Sequence, residues 1–287
     1  MIDIKRVGVI GCGLMGAGIA EVCARGDLDV VVREVNQEAV AAGRARLEAS
    51  LKRALSSGKI TEERFDAVRA RLTYTTELAD LADRDLIVEA ATENPDLKIA
   101  LFAELDRIVG RPDAILASNT SSIPIARLAQ ATSRPAQVVG MHFFNPAPVQ
   151  KLVEIVESIL TDPLTVARVR AFATEVLGKT TIIAPDRSGF VVNALLVPYL
   201  LSAIRMVEAG HATAEDVDTG MTLGCAHPMG PLRLSDLIGL DTLRSVADSL
   251  HAEFKEPQYA PPPLLCRMVE AGFTGRKSGR GFYDYAV

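Results

Sequence analysis

The chain has 287 residues, 48% of them hydrophobic and 23% charged, with a formal net charge of −5 at pH 7. That length suits one large or two moderate domains, and the acidic balance argues against a nucleic-acid-binding surface. The four cysteines, Cys12, Cys23, Cys225 and Cys266, form no C-x-x-C pair and no metal-ligand spacing with histidine; the pattern predicts no metal and a reducing, cytoplasmic compartment.

The first apolar run, Val7-Gly8-Val9-Ile10, reads as a strand rather than a signal peptide, because it breaks at once into Gly11-x-Gly13-Leu14-Met15-Gly16 and a helical stretch from Ala17 to Arg25. Gly11 permits the tight turn, Gly13 lets a pyrophosphate approach the backbone, and Gly16 lets the helix pack close to the strand. The phosphates then meet free N–H groups at a helix N-terminus. A second strand, Asp29 to Val32, leads to Glu34, a carboxylate placed to bind the hydroxyls of an adenosine ribose and to repel a 2′-phosphate. The competing reading of these glycines is a tight strand–helix turn with no ligand.

Helices are predicted over Gln37–Ser56 and Thr61–Ala70, a pair inserted after the second strand, and over Leu97–Val109 with Leu97, Leu101, Leu105 and Ile108 at helical spacing. Further strands are predicted at Leu72–Thr75, Leu86–Glu89, Ile115–Ser118, Gln137–Met141 and Lys151–Val156. Near-continuous apolar strands alternating with helices specify an α/β fold with a doubly wound, mostly parallel Rossmann-like sheet. After Ala184 the pattern turns helical: Phe190–Ala209, Ala214–Leu223, Leu232–Ile238, Asp241–Phe254 and Pro263–Ala271. The expected division is a dinucleotide-binding domain over residues 1–184 and an all-α domain over 185–287. The longest uncharged run, Ser188 to Ile204, contains Asn193, Pro198 and Tyr199 and reads as a buried helix, so no membrane span is expected.

His142 stands apart from the other histidines. It follows the apolar strand Val138–Met141 and precedes Phe143-Phe144-Asn145-Pro146, and strand carboxyl ends are where such sheets bind ligands. Glu154 interrupts the next apolar run, between Val153 and Ile155, and needs a polar partner if it faces inward. A turn over Asn145–Pro148 can bring the two together. Oxidising an alcohol requires a base for the hydroxyl proton; imidazole suits the task, and a carboxylate on its far nitrogen fixes the tautomer. A core histidine with a structural carboxylate is the alternative. Ser118-Asn119-Thr120-Ser121-Ser122 at another strand end offers hydroxyls and amides to a substrate oxygen, or simply caps a helix. Asn193 is a polar group inside a very apolar helix start.

Taken with Glu93-Asn94, Gly189-Phe190-x-x-Asn193, Pro228-Met229-Gly230-Pro231, Gly239-Leu240-Asp241 and Gly279-Arg280-Gly281-Phe282-Tyr283, these motifs resemble the L-3-hydroxyacyl-CoA dehydrogenase family, and most closely its short, single-function 3-hydroxybutyryl-CoA dehydrogenases. The resemblance runs from Val7 to Tyr285. It implies an NAD-dependent enzyme in which His142 is the base, Glu154 orients it, and Ser121 and Asn193 lie beside the substrate's 3-oxygen. It further implies that Glu34, Glu93 and Lys98 serve the cofactor, that Ser50 meets the coenzyme A of an acyl-CoA substrate, and that the chain is a homodimer through its helical domain; beside these, Asn119 of the polar cluster is a candidate for the nicotinamide ribose and Lys52 for the coenzyme A. Two departures bear on this. Ser57 stands where the family can carry a base, with Lys52, Arg53 and Lys59 nearby to compensate. Arg33 precedes Glu34 where an apolar residue is common, a cation that would soften the refusal of NADP if it faced the ribose. The alternatives are a dehydrogenase of a free hydroxy acid such as L-gulonate, or a non-catalytic dinucleotide-binding protein like the lambda-crystallins.

Overall fold

The computed structural model describes residues 4–285, which divide after Asp186 into two compact units. The first unit is built on an eight-stranded sheet: β1 (Arg6–Ile10), β2 (Asp29–Arg33), β3 (Leu72–Thr75), β4 (Leu86–Glu89), β5 (Ile115–Ser118), β6 (Val138–Phe143), β7 (Leu152–Glu157) and β8 (Thr180–Pro185). Their spatial order is β3-β2-β1-β4-β5-β6-β7-β8. All neighbours are parallel except β6 and β7. The helices of this unit are α1 (Leu14–Arg25), α2 (Gln37–Ser56), α3 (Glu62–Ala70), α4 (Pro95–Ile108), α5 (Ile125–Ala129) and α6 (Pro163–Ala171).

The central strands are near-continuously apolar because a parallel sheet with helices on its faces leaves neither side to water. Val7, Val9, Val30, Val32, Leu86, Val88, Ile115 and Val139 are all buried in one cluster with Ile19, Cys23 and Leu47 from the covering helices. Local chemistry sets where those helices begin: the side chains of Asn36, Thr61 and Asn94 accept the backbone N–H of Ala39, Arg64 and Leu97, and Pro95 occupies the first turn of α4.

The elements depart from the expected ones in three places. The strand expected to stop at Met141 continues to Phe143, so His142 lies within β6. The helix α6, capped by the Asp162 side chain on Leu164 N–H, and the strand β8 were both unforeseen. β8 is a half-exposed edge strand paired with β7, so its own residues carry little of the alternation or burial signal. It also spans the expected boundary at 184, and the compact unit extends to Asp186.

The second unit contains α7 (Val192–Glu208), α8 (Ala214–Thr219) running into a π-helical turn, α9 (Pro231–Ile238), α10 (Leu240–Phe254) and α11 (Pro263–Glu270). Val197, Leu200, Ile204, Leu232, Leu243, Leu250 and Leu265 form its core. Two buried aspartates organise it. Asp218 accepts the N–H groups of Leu232 and Arg233 at the start of α9, and Asp236 accepts those of Phe282 and Tyr283, fastening the C-terminal segment.

Candidate active site

Parallel strands place their carboxyl ends on one edge of the sheet, so loops far apart in sequence converge there. The strand order reverses direction between β1 and β4, and that switch point is where the glycine loop emerges. Gly11 has φ +85°, and a Cβ on it would lie 2.8 Å from the Ala90 carbonyl oxygen. A Cβ on Gly16 would lie 1.7 Å from the Gly11 oxygen. Around Gly13 nothing comes within 4 Å of the position a Cβ would take, so the backbone is open to a ligand at that point. Helix α1 begins there with no acidic residue in its first turn and no side-chain cap. Its first N–H groups, with exposed Leu14 and half-buried Met15, form a cradle suited to a pyrophosphate. The residues present therefore fit a dinucleotide.

Glu34, just beyond β2, bends over this loop. Its Oε1 accepts the Cys12 N–H at 2.5 Å and its Oε2 the Val35 N–H at 3.1 Å. Arg33 points elsewhere, its Nε donating to the Thr76 carbonyl at 3.1 Å.

At the ends of β4 and β5 lies a network whose central member the motifs did not single out. Glu89 is fully buried. Its carboxylate accepts the Ala91 N–H at 2.6 Å, Lys98 Nζ at 2.5 Å and the Ser118 hydroxyl at 2.7 Å. Lys98 is itself buried and also approaches Glu93 Oε2 at 3.4 Å. Glu93 in turn accepts the Thr120 hydroxyl, the Ser121 N–H at 3.1 Å and the Ser122 hydroxyl at 3.0 Å. Burial alone would raise the Glu93 carboxyl, but Lys98 and these donors outweigh it and hold it below the usual carboxylate range. Lys98 thus links two carboxylates and thereby ties the 91–98 segment to the 118–122 loop. The signal for Glu89 was present: an acid closing an apolar strand, as Glu34 follows β2.

The 118–122 loop is joined to the next strand by Asn119, whose Oδ1 accepts the Phe143 N–H at 2.9 Å. That bond falls one residue from His142. In the antiparallel register His142 of β6 sits directly opposite Glu154 of β7, and His142 Nδ1 lies 2.7 Å from Glu154 Oε2. Glu154 is 0% exposed, between the equally buried Val153 and Ile155, so its carboxyl group finds a polar partner inside the protein in the imidazole. The Phe144 ring contacts His142 edge-on at 4.7 Å between centroids. Lys179 secures the following turn by donating to the carbonyls of Ala147 at 2.6 Å and Gln150 at 2.7 Å.

Ser50 and Lys52 lie on α2, Lys52 exposed and Ser50 half-buried. Ser50 and Arg53 face Glu21 of α1, a fully buried carboxylate 2.6 Å from Arg25; burial raises the Glu21 carboxyl above its usual range against the pull of these groups. Asn193 lies in the first turn of α7, in the second unit.

A glycine cradle, an acid closing the second strand over it and a buried histidine–carboxylate pair on one sheet edge are the parts of a nicotinamide-dependent oxidoreductase. Residues 6–187 match the family described as 3-hydroxyacyl-CoA dehydrogenase, NAD binding domain, and residues 189–285 match its C-terminal domain. The chain belongs to the 3-hydroxyacyl-CoA dehydrogenase family and uses NAD. It is 60% identical, over 98% of its length and 99% of the relative's, to the 3-hydroxybutyryl-CoA dehydrogenase of Mycobacterium tuberculosis. The crystal structure of M. tuberculosis FadB2 superposes with a TM-score of 0.98 at 60% identity, covering 99% of each chain. That of (S)-3-hydroxybutyryl-CoA dehydrogenase PaaH1 from Ralstonia eutropha superposes at 0.93 with 45% identity, covering 99% of this chain and 100% of that one.

Proposed function

We propose that the chain interconverts L-3-hydroxybutyryl-CoA and acetoacetyl-CoA, with His142 as the acid–base group. The observation that carries this reading is the 2.7 Å His142–Glu154 pair, held beside the Asn119–Ser122 loop at the sheet edge that also bears the glycine cradle. The relatives named for 3-hydroxybutyryl-CoA support the substrate.

When bound, the nicotinamide supplies the two-electron acceptor for a hydride from C3. Glu154 accepts the imidazole Nδ1–H, which leaves the lone pair of neutral His142 on Nε2. That nitrogen takes the proton of the 3-hydroxyl, and Glu154 stabilises the imidazolium so formed. In reduction the same imidazolium returns the proton to the 3-oxygen. Ser121 and Asn193 are assigned to that oxygen. Gly11, Gly13, Leu14, Met15, Gly16 and Glu34 hold the adenosine diphosphate portion of NAD, and Glu93, Lys98 and Asn119 shape its nicotinamide side. Ser50 and Lys52 on α2 meet the coenzyme A. The first unit is thus the cofactor domain. The second is assigned as the substrate and dimerisation domain, and its exposed Leu195, Leu223 and Leu237 provide apolar surface for a homodimer. A cytoplasmic location is in keeping with four free cysteines and with the lack, among the described residues, of any helix long and apolar enough to cross a membrane.

The test is NADH oxidation with acetoacetyl-CoA against free acetoacetate, for the wild type and His142→Gln. The reading requires a strong preference for the thioester and a loss of at least about 10²-fold in turnover for the variant, the scale of a missing general base. Preference for the free acid would replace the substrate, and a folded variant with near-normal turnover would remove His142 from the mechanism.

A further inference from the structure

We propose that Arg46 is a specificity-determining residue: the cation that meets a 2′-phosphate on the adenosine ribose and sets how firmly NADP is refused. The inference rests on the reading that Glu34 faces that ribose.

Charge at this end of the site is not carried by Glu34 alone. Glu34 takes the N–H of Cys12, and Arg46 takes the carbonyl of the same residue, its Nη1 lying 2.6 Å from Cys12 O. An acid and a base therefore grip the two backbone ends of one residue of the glycine loop. The approach of α2 makes this possible. A Cβ on Gly43, one turn before Arg46, would lie 2.5 Å from Cys12 Cβ, so only glycine lets the helix come close enough for the Arg46 side chain to reach the loop.

The neighbouring arginines are committed elsewhere. Arg33 donates to Thr76 O, across the β2–β3 edge, and Arg44 lies over the Tyr74 ring at 5.8 Å. Arg46 is exposed, and its bond is to a single neutral carbonyl. A guanidinium fork matches a phosphate, through paired N–H donors and full charge, better than it matches one carbonyl oxygen. A nucleotide bearing a 2′-phosphate is repelled by Glu34 and attracted by Arg46, so the two residues set the discrimination between them.

The test compares equilibrium binding of ADP-ribose and 2′-phospho-ADP-ribose by calorimetry, together with the NADPH-to-NADH ratio of kcat/KM. The proteins are the wild type, Arg46→Ala, Arg33→Ala, Glu34→Gln and Glu34→Gln/Arg46→Ala. Arg46→Ala should lower the relative affinity for the 2′-phosphorylated ligand about fivefold, the scale of one exposed charge contact. It should also cancel most of the gain produced by Glu34→Gln, and Arg33→Ala should leave the ratio within about twofold. Equal losses for both ligands in Arg46→Ala would make Arg46 a clamp on the glycine loop and overturn the proposal. A Glu34→Gln protein with an unchanged ratio would instead remove Glu34 from the ribose, while the Arg46→Ala ratio would still decide the role of Arg46.

Discussion

Glu154→Gln isolates the charge of the His142 partner at almost constant shape. The carboxylate is fully buried and accepts at 2.7 Å, so water cannot take its place when the amide is introduced. A buried hydrogen bond to a charged group is worth about 1.5–3 kcal/mol against about 1 for a neutral one. The imidazolium formed during oxidation loses that difference. At about 1.4 kcal/mol per decade of rate, this alone is roughly tenfold. A second effect adds to it. The amide can turn its NH2 toward Nδ1, which selects the tautomer with its proton on Nε2 and takes away the lone pair that must accept the hydroxyl proton. The corresponding acid-to-amide change in a serine protease triad costs about 10⁴-fold. The expected fall in kcat for oxidation is therefore about 10²- to 10³-fold, with KM for L-3-hydroxybutyryl-CoA within about threefold, because Glu154 acts through His142 and not on the substrate. Steady-state oxidation kinetics with saturating NAD, with circular dichroism to confirm the fold, measures it. A folded variant whose kcat stays within threefold of wild type would refute the pairing as a catalytic device.

Lys98→Met leaves the Glu89 carboxylate buried without its cation, and urea denaturation should show a loss of about 3–5 kcal/mol, much of it recovered in Lys98→Met/Glu89→Gln; a loss below about 1 kcal/mol would mean Ser118 and the Ala91 amide suffice. Gly16→Ala forces a Cβ to within 1.7 Å of the Gly11 oxygen; NAD affinity should fall more than about tenfold and stability by about 1–3 kcal/mol, and unchanged calorimetric binding would contradict the close strand–helix contact. Glu21→Gln addresses a carboxyl whose pKa is raised by burial above its ordinary 4.5. The folded state holds that proton more tightly than the unfolded chain, so the contribution is complete below about pH 4.5 and is lost as pH rises through the raised value. The stability of the variant relative to wild type should therefore climb with pH over that window in denaturation curves, and a flat difference would place Glu21 in a wetter setting than its burial indicates.

What the sequence determined by itself is the part of the protein whose signals are local. β1, the glycine turn and α1 are legible because each glycine answers a short-range steric demand, and the parallel sheet is legible because its strands must be apolar on both faces. The caps Asn36, Thr61 and Asn94 act within three residues, and His142 and Glu154 stand out as polar residues in apolar runs. Tertiary structure decided whatever depends on a partner distant in the chain. The antiparallel turn of β7 against β6 put Glu154 opposite His142 rather than on a solvated edge. β8 exists because β7 offers a pairing edge, which nothing within Thr180–Pro185 announces. Lys98 reads as an ordinary helical lysine until Glu89, nine residues earlier on β4, closes on it, and Arg46 reads as a solvated helical residue until Gly43 brings α2 against Cys12. Burial and pairing of charges follow from how elements pack, and packing is a property of the whole chain that no window of residues contains.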